Sequence, residues 1–242
     1  DRQAAEALTY LGIAYTHLGD YEKARCTLER SASLYKSLSL DCTVGAARTF
    51  TELGNVYRHL GAYKKAKGTL KQGMKLYKTY FPTNQGGIAR NLRFLGCVYR
   101  DLTRYEKAKV LLEKSLGIYK KYLPLDYNSI AWVLTTLGTV YRELGWYKQA
   151  KVLTEESLKI YEKTGIGKER QKGWVKSNLG RIYREIGDFK TAKALLEESL
   201  KTSRKFFSPY HSSTAWSLGV LGIIHTECRD YSNAMSFLMA SL

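Results

Sequence analysis

Apolar residues recur at helical spacing along the chain, and the pattern restarts every 42 residues. A Leu-Gly pair marks the register: Leu11-Gly12, Leu53-Gly54, Leu95-Gly96, Leu137-Gly138, Leu179-Gly180 and Leu221-Gly222. Three residues after the glycine stands Tyr15, Tyr57, Tyr99, Tyr141, Tyr183 or His225. Nine after it comes an aromatic ring (Tyr21, Tyr63, Tyr105, Tyr147, Phe189, Tyr231), and twelve after it an alanine (Ala24, Ala66, Ala108, Ala150, Ala192, Ala234). Each copy reads as two helices. The first, carrying Leu8, Leu11 and Tyr15 or Leu134, Leu137 and Tyr141 on one face, extends from about eleven residues before the glycine to about five after it. A turn follows at Gly19, Gly61, Gly145 or Gly187, where glycine suits the left-handed backbone that ends a helix. Thr103 and Arg229 take that place in the third and sixth copies, so the turn tolerates other residues. The second helix carries Ala24, Leu28, Leu34 and Tyr35 and their counterparts. The glycine of the Leu-Gly pair and the alanine fall where the two helices approach closely, and a larger side chain at either would push them apart.

One helical pair cannot bury its own apolar faces, so the copies must stack. They divide the chain at about 1–43, 44–85, 86–127, 128–169, 170–211 and 212–242, the last truncated, in a single array over residues 1–242. The signature Leu-Gly-x-x-Tyr…Gly-x-Tyr-x-x-Ala resembles the tetratricopeptide repeat across essentially the whole chain. The common form of that repeat has about 34 residues. The extra length here falls in the second helix and the loop after it, as in Lys120-Lys121-Tyr122-Leu123-Pro124-Leu125-Asp126-Tyr127. This longer variety is similar to the kinesin light chain subclass. The proline usual at the end of the short repeat is absent, and Pro82, Pro124 and Pro209 sit in the longer loops instead. The resemblance implies an all-α, right-handed superhelical solenoid of stacked antiparallel helix pairs, with first helices lining a concave side and second helices facing outward.

Positions without a packing duty carry the functional signal. Four residues after the glycine stand Thr16, Arg58, Arg100, Arg142, Arg184 and Thr226. Six before it stand Glu6, Arg48, Arg90, Trp132, Trp174 and Trp216; three before it Thr9, Thr51, Arg93, Thr135, Ser177 and Gly219; one after it Ile13, Asn55, Cys97, Thr139, Arg181 and Ile223. These offsets form one stripe along the first helix, and in the family that stripe faces the groove. The stripe predicts a peptide-binding channel. Arg58, Arg100, Arg142 and Arg184 offer guanidinium forks for carboxylate or phosphate, and Arg48, Arg90, Arg93 and Arg181 add charge. Trp132, Trp174 and Trp216 supply apolar anchors. Asn55 would hydrogen-bond a ligand's backbone, a role asparagine often has in this family's grooves. The ligand that fits is an extended acidic segment with one or more apolar side chains. A competing reading has the arginines bracing the stack against Asp101, Glu143, Glu185 and Glu227, and the tryptophans packing between copies. Tyr35, Tyr77, Tyr119 and Tyr161 read as packing, and lysines such as Lys64, Lys65, Lys67, Lys71 and Lys75 as a solvated outer face.

Charge supplies the main rival. The chain has 39 Lys and Arg against 22 Asp and Glu, a formal charge of +17, and a sequence pI near 9.6. That is the electrostatic footprint of a polyanion binder, and helical repeats can read single-stranded RNA. RNA readers of that kind use a base code at fixed positions of a shorter repeat, so protein binding is preferred and nucleic acid kept as the alternative. Catalysis finds no support. His17, His59, His211 and His225 show no metal-ligand spacing. Gly165-Ile166-Gly167-Lys168 lacks the hydroxyl residue and the preceding strand of a phosphate loop. Neither a cofactor nor a metal is implied. Cys26, Cys42, Cys97 and Cys228 form no Cys-x-x-Cys pair, which with the absence of an Asn-x-Ser/Thr sequon suits reduced thiols in a cytoplasmic protein. No apolar run predicts membrane insertion. The start at Asp1 and the stop at Leu242, inside a patterned segment, suggest an excised fragment.

Overall fold

The computed structural model describes residues 1–165, 169–206 and 212–241, which form twelve α-helices and no strand. They are α1 (Arg2–Leu18), α2 (Tyr21–Ser37), α3 (Val44–His59), α4 (Tyr63–Tyr80), α5 (Gln85–Asp101), α6 (Tyr105–Tyr122), α7 (Tyr127–Glu143), α8 (Tyr147–Lys163), α9 (Glu169–Ile186), α10 (Phe189–Phe206), α11 (Ser212–Glu227) and α12 (Tyr231–Met239). Odd-numbered helices are the first helices of the copies and even-numbered ones the second. The chain forms two compact units, Asp1–Pro124 with α1 to α6 and Leu125–Leu242 with α7 to α12. Within each unit every first helix packs along its own second helix, each second helix meets the first helix of the next copy, and successive first helices touch.

The small residues that mark the register are where the pairs cross. A Cβ built on Gly54 would lie 2.5 Å from Leu70 Cγ, and one on Gly96 2.8 Å from Leu112 Cγ. Gly180 stands in the same relation to Leu196 in the second unit. Ala24, Ala66, Ala108, Ala150 and Ala192 are fully buried opposite them. Leu28, Leu70 and Leu112 continue that seam in the first unit, and Leu134, Leu137, Ile182, Leu196 and Leu221 fill the second. Tyr35, Tyr77, Tyr119 and Tyr161 are buried, as the packing reading expects.

Polar groups are taken into the same seams in bonded clusters. The Thr9 hydroxyl lies 2.9 Å from that of Ser31 on α2 and 2.8 Å from that of Thr49 on α3. Asn91 donates to Thr51 at 2.9 Å, Ser115 to the Ala89 carbonyl at 2.8 Å, and Thr135 lies 2.8 Å from Ser157. Each bond tells one helix where its neighbour must sit, because a shift would leave a buried hydroxyl unpaired.

Gly19, Gly61, Gly145 and Gly187 take φ between 72° and 87° in the turn after the first helix, and Thr103 and Arg229 are forced into the same left-handed region at φ 56° and 61°. A side chain there costs about 1–2 kcal/mol. Thr103→Gly is therefore expected to raise the stability of the first unit by about 1 kcal/mol, partly offset by the added freedom of the unfolded chain. Urea denaturation of the two proteins checks this, and a lowered midpoint would contradict it.

Candidate functional site

In the first unit the arginines of the stripe are drawn into a web of neighbours. Arg58 Nη1 donates to Asp101 Oδ2 at 2.9 Å, from α3 across to α5. Its Nε and Nη2 donate to Asn55 Oδ1 at 3.3 and 3.2 Å, and Nη2 also lies 2.6 Å from His59 Nε2. The other oxygen of Asp101 accepts from Arg100 Nη2 at 2.7 Å. One carboxylate thus bridges two guanidinium groups on successive first helices. Arg58 and Asp101 keep only 11 % and 17 % of their side-chain surface, and Arg100 keeps 23 %. Asn55 is buried, and its oxygen is committed to Arg58, so it orients that arginine. Arg48 donates to the Tyr10 hydroxyl at 2.6 Å with its guanidinium 5.5 Å from the ring centre, and Arg90 pairs with Glu52 at 3.3 Å. Arg93 folds over the Phe94 ring at 4.7 Å.

The second unit repeats the motif with more carboxylate and with indoles. Arg142 pairs with the adjacent Glu143 and reaches Glu185 on α9 at 3.9 Å. Arg184 pairs with Glu185 at 2.6 Å, and Arg181 lies 3.8 Å from Glu143. The Arg142 side chain is only 8 % exposed, whereas Arg181 and Arg184 keep 25 % and 23 %. Burial, and after it the neighbouring Arg142 guanidinium, pull the pKa of Arg181 down to about 10. Trp132 and Trp174 stack at 5.9 Å with planes 28° apart. Trp216 lies under the Arg181 guanidinium at 4.4 Å and is 38 % exposed. Trp146, the fourth tryptophan, stands apart at the start of α8 against Tyr141.

A regular rule connects these contacts. The arginine four residues after the glycine reaches the acid five after the glycine of the next copy, as Arg58 reaches Asp101 and Arg142 reaches Glu185. The residue two before the glycine meets the one six before it in the next copy, as Tyr10 meets Arg48 and Glu52 meets Arg90. The predicted stripe therefore needs one correction. Positions three before the glycine (Thr9, Thr51, Thr135, Ser177) are buried, and the first three of them bond into the helix seams. Tyr10, Glu52 and Phe94, one residue later, touch the stripe side chains. Offsets of −6, −2 and +1 keep helical spacing equally well, so the alternative was available in the sequence.

Among the described residues no group of three or more His, Cys, Asp and Glu is placed to hold a metal ion, and no helix is long and apolar enough to cross a membrane. Residues 166–168 of the phosphate-loop-like segment, with Pro209 and His211, lie outside the described residues. The cysteines Cys26, Cys42, Cys97 and Cys228 are free thiols.

Comparison with known proteins supports the class. A tetratricopeptide repeat family profile matches residues 45–121, 87–163 and 171–242, and a second profile of the same family matches residues 6–37. The chain belongs to the tetratricopeptide repeat family, and its fold is that family's all-α helical-repeat solenoid. No curated protein matches it as a relative. Among solved structures it is similar to BtubC (BKLC) from P. vanneervenii, with 16 % identity, 91 % of this chain and 89 % of that one covered, and a TM-score of 0.71. It is also similar to a kinesin-light-chain-like protein of Podosopora anserina built of nearly identical TPR-like repeats, with 20 % identity, 86 % and 99 % covered, and a TM-score of 0.63. A Rap protein complexed with Competence and Sporulation Factor is similar over 97 % of this chain and 73 % of its own, with 14 % identity and a TM-score of 0.74.

Proposed function

We propose that the chain is a non-enzymatic protein-interaction module whose first-helix face binds an extended acidic segment carrying an apolar side chain. The observation that carries this reading is the imbalance on α7, α9 and α11: Arg142, Arg181 and Arg184 share Glu143 and Glu185, and the half-exposed Trp216 lies against Arg181. An incoming carboxylate supplies the missing anion, and an apolar side chain beside it covers the indole. The more buried arginines, Arg58 and Arg142, hold the first helices in register and set the field; Arg181 and Arg184 meet the ligand. A Rap protein of similar fold is known complexed with Competence and Sporulation Factor, which supports a protein or peptide partner. On the first unit, taken by itself, Arg48, Arg90, Arg93 and Arg100 carry the same guanidinium chemistry, with Asn55 orienting Arg58. Trp132 and Trp174 continue the apolar strip.

The test is calorimetric titration of a short extended peptide of glutamates around one leucine. Arg181→Gln with Arg184→Gln should weaken binding at least about tenfold, since hydrogen bonds to charged groups contribute about 1.5–3 kcal/mol each. Neutral substitutions are chosen because a glutamate in place of buried Arg142 would face Glu143 and Glu185 and unsettle the fold itself. Affinity unchanged in the double variant would refute the assignment.

A further inference from the structure

The second copy departs from its sister copies on the exposed side of α4. Lys64, Lys67, Lys71, Lys75 and Lys78 are spaced three, four, four and three residues apart, which puts them on one helical face over about 21 Å. All but half-buried Lys67 are exposed, and α4 contains no Asp or Glu. Among the described residues, the ion pairs of the structure involve none of these five lysines.

Equivalent positions elsewhere in the chain alternate bases with acids. In the first, third, fourth and fifth copies the counterparts of Lys71 are Glu29, Glu113, Glu155 and Glu197, and those of Lys64 are Glu22, Glu106, Lys148 and Lys190. The glutamates have work to do there: Glu29 accepts the Tyr57 hydroxyl of the next first helix at 2.6 Å, and Glu155 accepts that of Tyr183 at 2.9 Å. Glu22 and Glu29 also pair with Arg25, and Glu106 with Lys109. At Lys71 the second copy has no carboxylate to offer Tyr99. It gives up a bracing bond and its internal neutralisation together. A repeat that breaks its own stabilising rule at Lys71, where the first, third, fourth and fifth copies all carry glutamate, marks function more than packing.

We propose that the lysine stripe of α4 is a docking site for the phosphate backbone of a nucleic-acid duplex, read without regard to sequence. The reading is independent of the peptide reading of the first-helix face. Lysine is a flexible point charge that holds a phosphate but lacks the planar fork that reads a base edge, and the stripe contains no arginine. The stripe also carries no exposed large apolar residue. An acidic protein helix laid on it would gain only screened surface ion pairs, which contribute little. A duplex releases condensed counterions at every contact, so five lysines act together. A flat anionic membrane would press equally on α2 and α6, whose faces carry Glu22, Glu29, Glu106 and Glu113, whereas a convex duplex with its axis along α4 brings its phosphates nearest the lysines.

The experiment is fluorescence anisotropy with two labelled DNA duplexes of unrelated sequence, titrated at several salt concentrations. Both should bind equally, and the slope of log K against log salt should be about −4.5 for five contacts. Lys64→Glu with Lys71→Glu installs the residues of the first and third copies, so folding is retained and thermal stability should not fall. That variant should lose duplex affinity by about tenfold or more, flatten the slope to about −2.7, and bind the glutamate–leucine peptide as the wild type does. Lys67→Gln with Lys75→Gln is the second variant and should show a comparable loss. Retained duplex affinity in either variant would overturn the proposal. So would tighter binding of the wild type to phosphatidylserine-containing vesicles or to polyglutamate than to duplex.

Discussion

Gly54→Val is expected to destabilise the first unit by about 3 kcal/mol or more, because the new side chain has nowhere to go. A Cβ at that position already lies 2.5 Å from Leu70 Cγ and 3.3 Å from the Ala66 carbonyl oxygen. The leucine can turn only into a seam filled by Phe94, Leu95 and Val98, and the carbonyl belongs to the backbone of α4. The helices must move apart, and with them the register that aligns α3 on α5. Leu70→Ala alone should cost about 2–5 kcal/mol through the cavity it leaves. Combined, the two substitutions should cost less than their sum by about 1 kcal/mol or more, since each makes room for the other. Urea denaturation of the four proteins of the cycle checks this. Strict additivity would mean that the glycine is not a crossing point.

Asp101→Asn has the second largest effect. The substitution removes the anion shared by Arg58 and Arg100 while keeping shape and a hydrogen-bonding oxygen. Both partners are largely sheltered from water, so stability should fall by about 2 kcal/mol, below the cost of breaking a fully buried pair because Arg58 keeps Asn55. Arg58 then lacks the carboxylate that reaches it from α5. Urea denaturation of the two proteins reads the loss. An unchanged midpoint would show that the bridge does not hold α3 on α5.

The repeat and its elements were legible because they depend on spacing within one helix. The Leu-Gly pair, the tyrosine three residues on and the alanine twelve residues on carry the period, and the first helices α3, α5 and α7 begin at Val44, Gln85 and Tyr127. Glycine at the turn and its replacement by Thr103 and Arg229 were equally readable. Partnerships between copies were not. Whether Arg58 meets Asp101 or a ligand depends on the offset between α3 and α5, which the packing of Leu70, Gly73 and Asn91 fixes and no single-helix periodicity encodes. The row three before the glycine misled for the same reason. Threonine there looks like an exposed polar residue, yet it sits at the crossing of three helices and is satisfied by hydroxyls from two others, as Thr9 is by Ser31 and Thr49. Arg93 occupies that row alone among arginines, with its guanidinium over the Phe94 ring.

The four tryptophans carry the most direct test of the proposed binding face. Trp132, Trp174 and Trp216 lie on first helices, while Trp146 opens the second helix α8 and serves as an internal control. Their indole N–H signals, assigned by single Trp→Phe variants, can be followed by NMR as the glutamate–leucine peptide is added. Ligand on the first-helix face should move the Trp216 signal most, move those of Trp132 and Trp174, and leave Trp146 in place. Saturable binding that shifts Trp146 and leaves the other three unmoved would contradict it.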